Sequence, residues 1–205
     1  MQRLIKSILA TVAAGLLLAG PSFAVDYDFT GQLPYHNSVE IFNFTTDTTS
    51  DITLFSSSWD DGGVDPMMGL WSDNGEMLAF QDDSEEEGTA FSNGVSYDYG
   101  EFDVFFTHTI GAGSYFVTLG TWPNYPVNYF EENIPVLFSD GFELDGEDGI
   151  SISEWSDGLE TSDYVFHLLV NPAQNAPSAV PEPSTMLLLG AGLAGLALAR
   201  KRFNK

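Results

Sequence analysis

Apolar and polar residues alternate in short runs through the middle of the chain, and clusters of turn residues separate the runs. Runs rich in β-branched and aromatic residues predict strands at residues 39–45, 51–55, 67–71, 77–80, 102–110, 115–119 and 164–170. Glycine-containing turns at 72–75 and 111–113 each predict a hairpin. Because no stretch carries a sustained 3.6-residue apolar stripe, helix is at most incidental. The pattern predicts an all-β fold, an antiparallel β-sandwich of jelly-roll-like form.

The first residues follow a different pattern, which predicts a signal helix. Arg3 and Lys6 precede an apolar stretch, residues 9–19, and small residues lead up to Ala24. A basic start, a short apolar core and small residues before the cut are typical of a secretory signal peptide, here residues 1–24. We expect the secretory translocon and signal peptidase as partners, with cleavage between Ala24 and Val25. The chain has no Cys, so disulfides and a lipid anchor on Cys are excluded.

The C-terminal end is typical of a membrane segment. Residues 186–199 are apolar and stop at Arg200, Lys201 and Arg202. An apolar span with a basic flank predicts a single transmembrane helix whose charged end stays in the cytoplasm. The residues before it, 171–180, lack periodicity and predict an extended linker. The β-sandwich domain is therefore expected at 25–170.

Pro181, Glu182 and Pro183 stand at the junction between this linker and the apolar run. The tripeptide, with the apolar and basic residues behind it, resembles the PEP-CTERM sorting signal of exported proteins in Gram-negative bacteria that make exopolysaccharide. The resemblance implies transit through the inner membrane, with the sorting segment at 181–205. It also implies an exosortase-type peptidase that cuts near the motif. The domain would then pass to the cell surface or the extracellular matrix.

The central domain carries a second resemblance, spread over consecutive segments. Residues 65–71, 74–79 and 81–83 look like the "D-P-x-L-x-L-(aromatic) … G-x-x-L-A-x-(N/Q)-D-D" hairpin of the bacterial pre-peptidase C-terminal-like β-sandwich family. Residues 110–119 resemble that family's "L-x-A-G-x-Y-x-(V/L)" strand. The family is mostly known as non-catalytic appendages and exported proteins without assigned activity. The resemblance therefore implies a fold and little chemistry.

Charge is distributed very unevenly. The chain has 6 basic and 30 acidic residues and a net charge of −24. No Lys or Arg lies between residues 25 and 180, whereas every acidic residue except Glu182 does. Removal of both ends would leave a charge of about −29. This excludes a nucleic-acid binder, which needs a basic surface, and an anionic polymer would bind only through a bridging cation. Adaptation to a salty habitat is the alternative explanation of the charge.

Two groups of acidic residues flank the predicted hairpin at 67–80. Asp60, Asp61 and Asp65 precede its first strand, and Asp82 and Asp83 follow its second. If the strands pair, both groups lie at the same end, where crowded carboxylates favour a divalent cation or raised pKa values. Ca²⁺ is preferred over transition metals because no thiol and little imidazole is present. The alternative is a hydrated rim without an ion.

Residues 143–154 nearly spell an EF-hand loop. Asp145, Glu147 and Glu154 fall at loop positions that supply oxygen ligands. The glycine comes one position late, and no helical pattern flanks the segment. The sequence therefore leaves two hypotheses, a Ca²⁺ loop of different geometry and a solvated acidic loop.

We expect no catalytic residues. A hydrolytic triad would need one of the three His beside a Ser and a carboxylate, and no nucleophile or zinc motif is present. His108 and His167 are interpreted as strand residues with satisfied or exposed rings. Trp122, Tyr125 and Tyr129 with Phe130 lie in a predicted loop, where they either stack on sugar rings or cover the end of the sandwich.

Together these features predict an exported, non-catalytic protein of the cell surface or of an exopolysaccharide or biofilm matrix. Divalent cations, Ca²⁺ above all, and exopolysaccharide are the ligands that we consider. The alternative is a secreted glycoside hydrolase, or another polysaccharide-active enzyme, that uses two carboxylates.

Overall fold

Strands make up almost all of the regular structure in the computed structural model of the protein, which describes residues 24–146 and 149–173. These residues lie in one compact unit, Ala24–Ala173. The strands are β1 (Val25–Gln32), β2 (Glu40–Thr46), β3 (Ser50–Ser56), β4 (Pro66–Ser72), β5 (Met77–Gln81), β6 (Gly88–Ser92), β7 (Val95–Tyr99), β8 (Phe105–Ile110), β9 (Gly113–Thr121) and β10 (Asp163–Pro172). A single-turn helix, α1 (Ile152–Trp155), and a 3-10 turn (Phe138–Asp140) complete this part of the chain.

The strands form two four-stranded antiparallel sheets and one separate hairpin. Sheet A has the order β1-β10-β3-β8, and sheet B has the order β2-β9-β4-β5. The hairpin pairs β6 with β7. The predicted all-β antiparallel fold is confirmed.

The two sheets share one apolar core. From β10, Phe166 and Leu168 point into it, while His167 between them faces the other side, as the two-residue period of a strand requires. Phe42 of sheet B lies 4.7 Å from Phe166 of sheet A between ring centroids. The apolar residues of both sheets, with rings such as these, fill the space between the sheets, as in a β-sandwich. Because this part of the sequence holds no Lys or Arg, its cohesion comes from apolar burial rather than from ion pairs with those residues.

The β6–β7 hairpin lies against the outer face of sheet A and was not predicted from the sequence. Its turn is Asn93-Gly94, with φ angles of +48° and +77°, the left-handed conformation that a two-residue hairpin turn needs. Its Tyr97 packs on the His167 ring, with 4.0 Å between centroids, and its Tyr99 packs on Phe105 at 4.7 Å. The hairpin therefore adds a small third layer of aromatic rings outside sheet A.

The two hairpins that the sequence predicts have different outcomes. The turn at 72–75 joins β4 to β5, which pair directly, so this prediction is confirmed. The prediction at 111–113 is wrong, because β8 pairs with β3 in sheet A while β9 pairs with β2 and β4 in sheet B. Here the chain crosses from one sheet to the other, and Tyr115 closes the corner by donating a hydrogen bond to the Gly111 carbonyl at 3.1 Å.

The closing strand is longer than predicted, since β10 continues to Pro172, inside the predicted linker. The predicted signal helix and transmembrane helix lie outside the described residues. Within the residues that the structure describes, no helix is both long enough and apolar enough to span a membrane.

Candidate metal centre

The β4–β5 hairpin brings one residue of the first acidic group, Asp65, and two of the second, Asp82 and Asp83, to one end of sheet B. Met68 of β4 pairs with Gln81 of β5, so the residue before β4 and the residues after β5 are neighbours. Asp65 comes directly before β4, and Asp82 and Asp83 come directly after β5. We call these three residues the acidic rim. Each offers a carboxylate oxygen that lies within 4.8 Å of the other two.

Two oxygens of the acidic rim are buried without a hydrogen-bond partner in the described structure, Asp65 Oδ1 and Asp82 Oδ1. The second oxygen of Asp82 accepts a hydrogen bond of 2.6 Å from the Tyr125 hydroxyl. The Asp65 backbone N–H donates to Glu160 Oε2 at 3.4 Å, which brings a fourth carboxylate to the same place. A buried oxygen without a donor is costly, so this arrangement calls for a proton or a cation.

The electrostatics agree with the geometry. Burial, followed by the charges of Asp82, Asp83, Glu160 and Asp103 in that order, raises the pKa of Asp65 to about 8. Burial also raises the pKa of Asp82, which the Tyr125 hydrogen bond partly offsets. The raised pKa values that the sequence predicts for this end of the hairpin are present in the structure.

Burial raises the pKa of two more acids beside Asp65 and Asp82. For Asp83, the charges of Glu101 and Glu85 add to the effect of burial. For Glu160, the hydrogen bond from the Asp65 backbone opposes it. Each of these carboxylates would therefore be stabilised by a nearby positive charge, and the described residues contain no Lys or Arg that could supply one.

The donor set fits a hard divalent cation. Ca²⁺ is bound by six to eight oxygens, mostly from carboxylates, carbonyls and water, in a flexible geometry. The acidic rim offers three carboxylates and, with Asp65 Oδ1 and Asp82 Oδ1, two buried oxygens that a cation would satisfy. The three residues include no nitrogen or sulfur ligand, which argues against a transition metal.

The remaining predicted ligands are not part of this group. Asp60 and Asp61 are exposed, and the Asp60 carboxylate packs beside Gly100. The Asp145 carboxylate accepts a hydrogen bond of 3.0 Å from the Phe142 backbone N–H, within its own turn. Glu154 lies in α1, close to its N-cap Ser151.

Glu147 and the three sorting residues lie outside the described residues. Of the predicted cleavage pair, Ala24 is the first described residue and Val25 begins β1.

Sequence reasoning missed Glu160, Asp103 and Tyr125 as members of the rim's surroundings. Glu160 is 95 residues from Asp65 in the chain. Tyr125 is 43 residues from Asp82. No local pattern marks such distant contacts, so only the fold reveals them.

An aromatic cluster adjoins the acidic rim through Tyr125. Tyr125 and Tyr129 stack at 5.6 Å between centroids, and Tyr129 also contacts Phe80 of β5 at 4.8 Å. Phe130 packs on Tyr125 at 4.8 Å but is 67% exposed, and Trp122 nearby in sequence is 45% exposed. Part of the loop therefore covers the sandwich, as one hypothesis has it, and part presents rings to solvent, as the other requires.

A second polar group includes the predicted strand residue His167. Its Nδ1 lies 2.7 Å from Asp28 Oδ1, and its Nε2 lies 3.1 Å from Ser57 Oγ. The ring is fully buried and both nitrogens have partners, so the interpretation of His167 as a satisfied strand residue is confirmed. No sequence pattern connects these three residues, because His167 is 139 residues from Asp28 and 110 from Ser57.

A comparison with known protein families agrees with the resemblance at the C-terminal end. Residues 179–202 match the PEP-CTERM protein-sorting motif, so the chain carries this signal. A comparison with curated proteins gives no match.

A solved structure that is similar to the chain is the pre-peptidase C-terminal domain of collagenase from Bacillus anthracis. It has 11% sequence identity and a TM-score of 0.35, and the match covers 72% of this chain and 90% of that one. The fold is therefore assigned from the strands and their pairing described above.

The sorting motif marks the chain as an exported protein that an exosortase sorts toward the cell surface or the extracellular space.

Proposed function

We propose that this exported protein is a non-catalytic component of the cell surface or of an exopolysaccharide or biofilm matrix, and that it binds a divalent cation at the acidic rim. One observation carries the proposal: three carboxylates meet within 4.8 Å, and two of their oxygens are buried without a partner. The buried oxygens distinguish this group from the many described acids whose side chains are exposed.

Ca²⁺ is the cation that we propose. The group is built from carboxylates alone, Asp65 is protonated at neutral pH unless a cation replaces its proton, and export takes the protein to a compartment where Ca²⁺ is available. Asp60, Asp61, Asp145, Glu147 and Glu154 remain predictions as ligands.

Exopolysaccharide is the proposed partner of the domain. An acidic polymer would be repelled by the domain charge of about −29, so a bound cation is needed to bridge the two. The Tyr125 hydroxyl joins the aromatic cluster to Asp82, so a sugar ring that stacks on Phe130 would lie near the cation. Flat rings beside a ligand-binding group are a common arrangement for carbohydrate contact.

The rest of the sequence-based proposal concerns the two ends and the detailed fold. We propose a signal peptide cut after Ala24, an inner-membrane helix in the tail and removal of that tail near Pro181. Mass spectrometry of the mature protein, reading both termini, tests these points together. The jelly-roll-like form is supported by the strand order, because outside the β6–β7 hairpin the only consecutive described strands that share a sheet are β4 and β5.

The alternative function is a polysaccharide-active enzyme, and one observation favours it: Asp65 has a pKa of about 8 beside another carboxylate, as a general acid does. Release of reducing ends from acidic polymers by the purified chain would establish the enzyme. Binding without cleavage is the result that we expect.

A Ca²⁺ titration of the melting temperature tests the cation site. We expect Ca²⁺ to raise the melting temperature of the full chain more than Na⁺ does at the same ionic strength. At a hundredfold excess of Ca²⁺ over its Kd, the free energy of unfolding should rise by about 2.7 kcal/mol. Asp82→Asn should lose most of this rise because it removes a rim carboxylate. Asp73→Asn, which removes an exposed charge from the β4–β5 turn, should keep it. Equal shifts for Ca²⁺ and Na⁺ would refute the site.

A further inference from the structure

A row of side chains crosses the outer face of sheet A beneath the β6–β7 hairpin. Asp28, His167, Phe55 and Phe105 are successive cross-strand partners on β1, β10, β3 and β8. The His167 ring stacks on Phe55 at 4.3 Å and is covered on the hairpin side by Tyr97 at 4.0 Å. The imidazole therefore contacts two aromatic rings, and the side chain has no exposed surface.

The Asp28 carboxylate binds His167 and the hairpin at the same time. Its Oδ1 accepts hydrogen bonds from His167 Nδ1 at 2.7 Å and from Ser92 Oγ at 2.6 Å. Its Oδ2 accepts from Asn93 Nδ2 at 2.7 Å. The neighbouring Asp26 accepts from the Asn93 backbone N–H at 2.9 Å. The turn of the hairpin is thus attached to β1 through two carboxylates.

A neutral His167 completes this arrangement. When Nδ1–H donates to Asp28, Nε2 is free to accept from the Ser57 hydroxyl, so one tautomer satisfies both contacts. The order carboxylate, imidazole, hydroxyl is also that of a serine hydrolase triad. Here, however, the Ser58 backbone N–H, which follows the hydroxyl residue, donates to Asp103 at 3.2 Å and is not available to an oxyanion. The enclosed ring and this engaged N–H indicate a structural role.

We propose that the hydrogen-bonded side chains of Ser57, His167 and Asp28 form an acid-sensitive latch that holds the β6–β7 hairpin on sheet A. The hairpin is the part that opens because its strands pair only with each other. Its attachment at the turn and across the rings is made by side chains. A proton on His167 adds a charge inside an aromatic enclosure, and lifting Tyr97 away lets water reach that charge.

The direction of the pH effect follows from the two ionisable partners. Burial lowers the pKa of His167 below its usual 6.5, against the hydrogen bond and charge of Asp28. Just below pH 6.5, the protein with the hairpin closed therefore binds fewer protons than the protein with the hairpin open. The free energy that favours the closed state has its full value above pH 6.5 and decreases as the pH falls below it. Asp28, whose pKa is lowered, adds a loss of the same sign below its usual 3.8.

Among the described residues, the ionisable groups that face His167 come from two strands. β1 contributes Asp28, with Asp26 beside the hairpin turn, and β7 contributes Tyr97. β3 contributes Phe55, Ser57 follows β3, and β6 contributes Ser92. Acid release is therefore attributable to His167 first and to Asp28 only at lower pH.

Hydrogen exchange of the full chain, with the intrinsic pH dependence removed and pepsin used for fragmentation, tests the latch. Between about pH 7.5 and pH 5, we expect protection of residues 88–99 to fall relative to β9, by up to tenfold for each unit by which the pKa of His167 lies below 6.5. In parallel, NMR of the imidazole signals should show His167 titrating below 6.5, at the pH where protection is lost. The proposal would be overturned if protection of the hairpin and of β9 changed equally with pH, or if His167 titrated at or above pH 6.5.

Variants separate the latch from a general effect of acid. His167→Gln should remove the pH dependence of hairpin protection, whereas His108→Gln, on β8 of the same sheet, should keep it. If His167→Gln does not fold, the two measurements on the unmodified chain decide the matter alone. Covalent labelling of Ser57 by a fluorophosphonate, absent in Ser57→Ala, would show a nucleophilic triad and overturn the structural role.

Discussion

The acidic rim and the latch each contain a partly buried carboxylate beside a sheet, but the pKa values of Asp65 and Asp28 move in opposite directions. At Asp28, burial raises the pKa, and hydrogen bonds from Ser92, His167 and Asn93 more than offset it, so the net shift is downward. At Asp65, burial and the neighbouring negative charges together raise the pKa to about 8. The difference lies in the donors, since three side chains donate to Asp28, whereas no donor among the described residues reaches Asp65 Oδ1.

In a domain without Lys or Arg, the neighbours of a carboxylate determine whether it is ionised. Where hydroxyl, amide and imidazole groups surround a carboxylate, it stays ionised and ties two parts of the fold together. Where other carboxylates surround it, it holds a proton or needs a cation from outside. The first kind of site is complete within the protein, and the second is the one that we propose for a cation.

The largest expected effect is that of Asp65→Asn. Between about pH 4 and pH 8, Asp65 is protonated in the folded state and ionised in the unfolded state. The free energy of unfolding therefore falls as the pH rises through that window. The amide resembles the protonated acid and avoids this loss. Near pH 8.5, with a chelator present, we expect the variant to be more stable than the original by about 2–5 kcal/mol.

Urea unfolding at several pH values measures this gain, which should shrink toward pH 4. Asp73→Asn controls for the removal of one charge from the same hairpin. A variant that is less stable than the original chain at high pH would contradict the raised pKa of Asp65.

The same substitution at the latch should have the opposite sign. In Asp28→Asn an amide N–H₂ replaces one of the oxygens that accept from the hairpin and His167, so donors face a donor. We expect a loss of about 1–3 kcal/mol at neutral pH, since bonds to a charged group are replaced. Asp98→Asn is the matched control, because Asp98 lies on the same hairpin and accepts one exposed hydrogen bond, 2.9 Å from Thr89. If Asp28→Asn and Asp98→Asn lowered the melting temperature equally, the hydrogen bonds of Asp28 would have no special effect on stability.

A smaller effect is the pH dependence of cation binding at the rim. Because Ca²⁺ must displace the proton of Asp65, its apparent affinity should rise by up to tenfold per pH unit, about 1.4 kcal/mol, and level off above about pH 8. Calorimetry in buffers of different ionisation enthalpy should show close to one proton released per cation near pH 6.5. An affinity that is constant between pH 6 and 8 would place the cation elsewhere.

Sequence reasoning succeeded for the rim because only one local hairpin had to form. The turn at 72–75 brings Asp65 and Asp82 together whatever the rest of the chain does. It failed at 111–113 because a tight glycine turn looks the same whether the next strand returns to its own sheet or crosses to the other one. That choice depends on the partners of β8 and β9, which are distant in sequence.

The β6–β7 hairpin was missed although its turn, Asn93-Gly94, is a strong two-residue hairpin signal. Its strands are short, and their alternation is weak because Phe91 and Val95 face solvent. The latch was beyond sequence reasoning for a different reason. Asp28 and His167 are 139 residues apart, and only the pairing of β1 with β10 brings them together.

The position of β10 in sheet A has a consequence for the order in which the exported chain matures. β10, the last described strand, is inserted between β1, the first described strand, and β3. By the proposed secretory route, β1 and β3 would lack this partner until translocation is nearly finished. Contacts that span so much of the chain form slowly. The earlier strands, rich in aromatic rings, would therefore stay partly assembled until β10 arrives, and repulsion between their carboxylates would oppose aggregation.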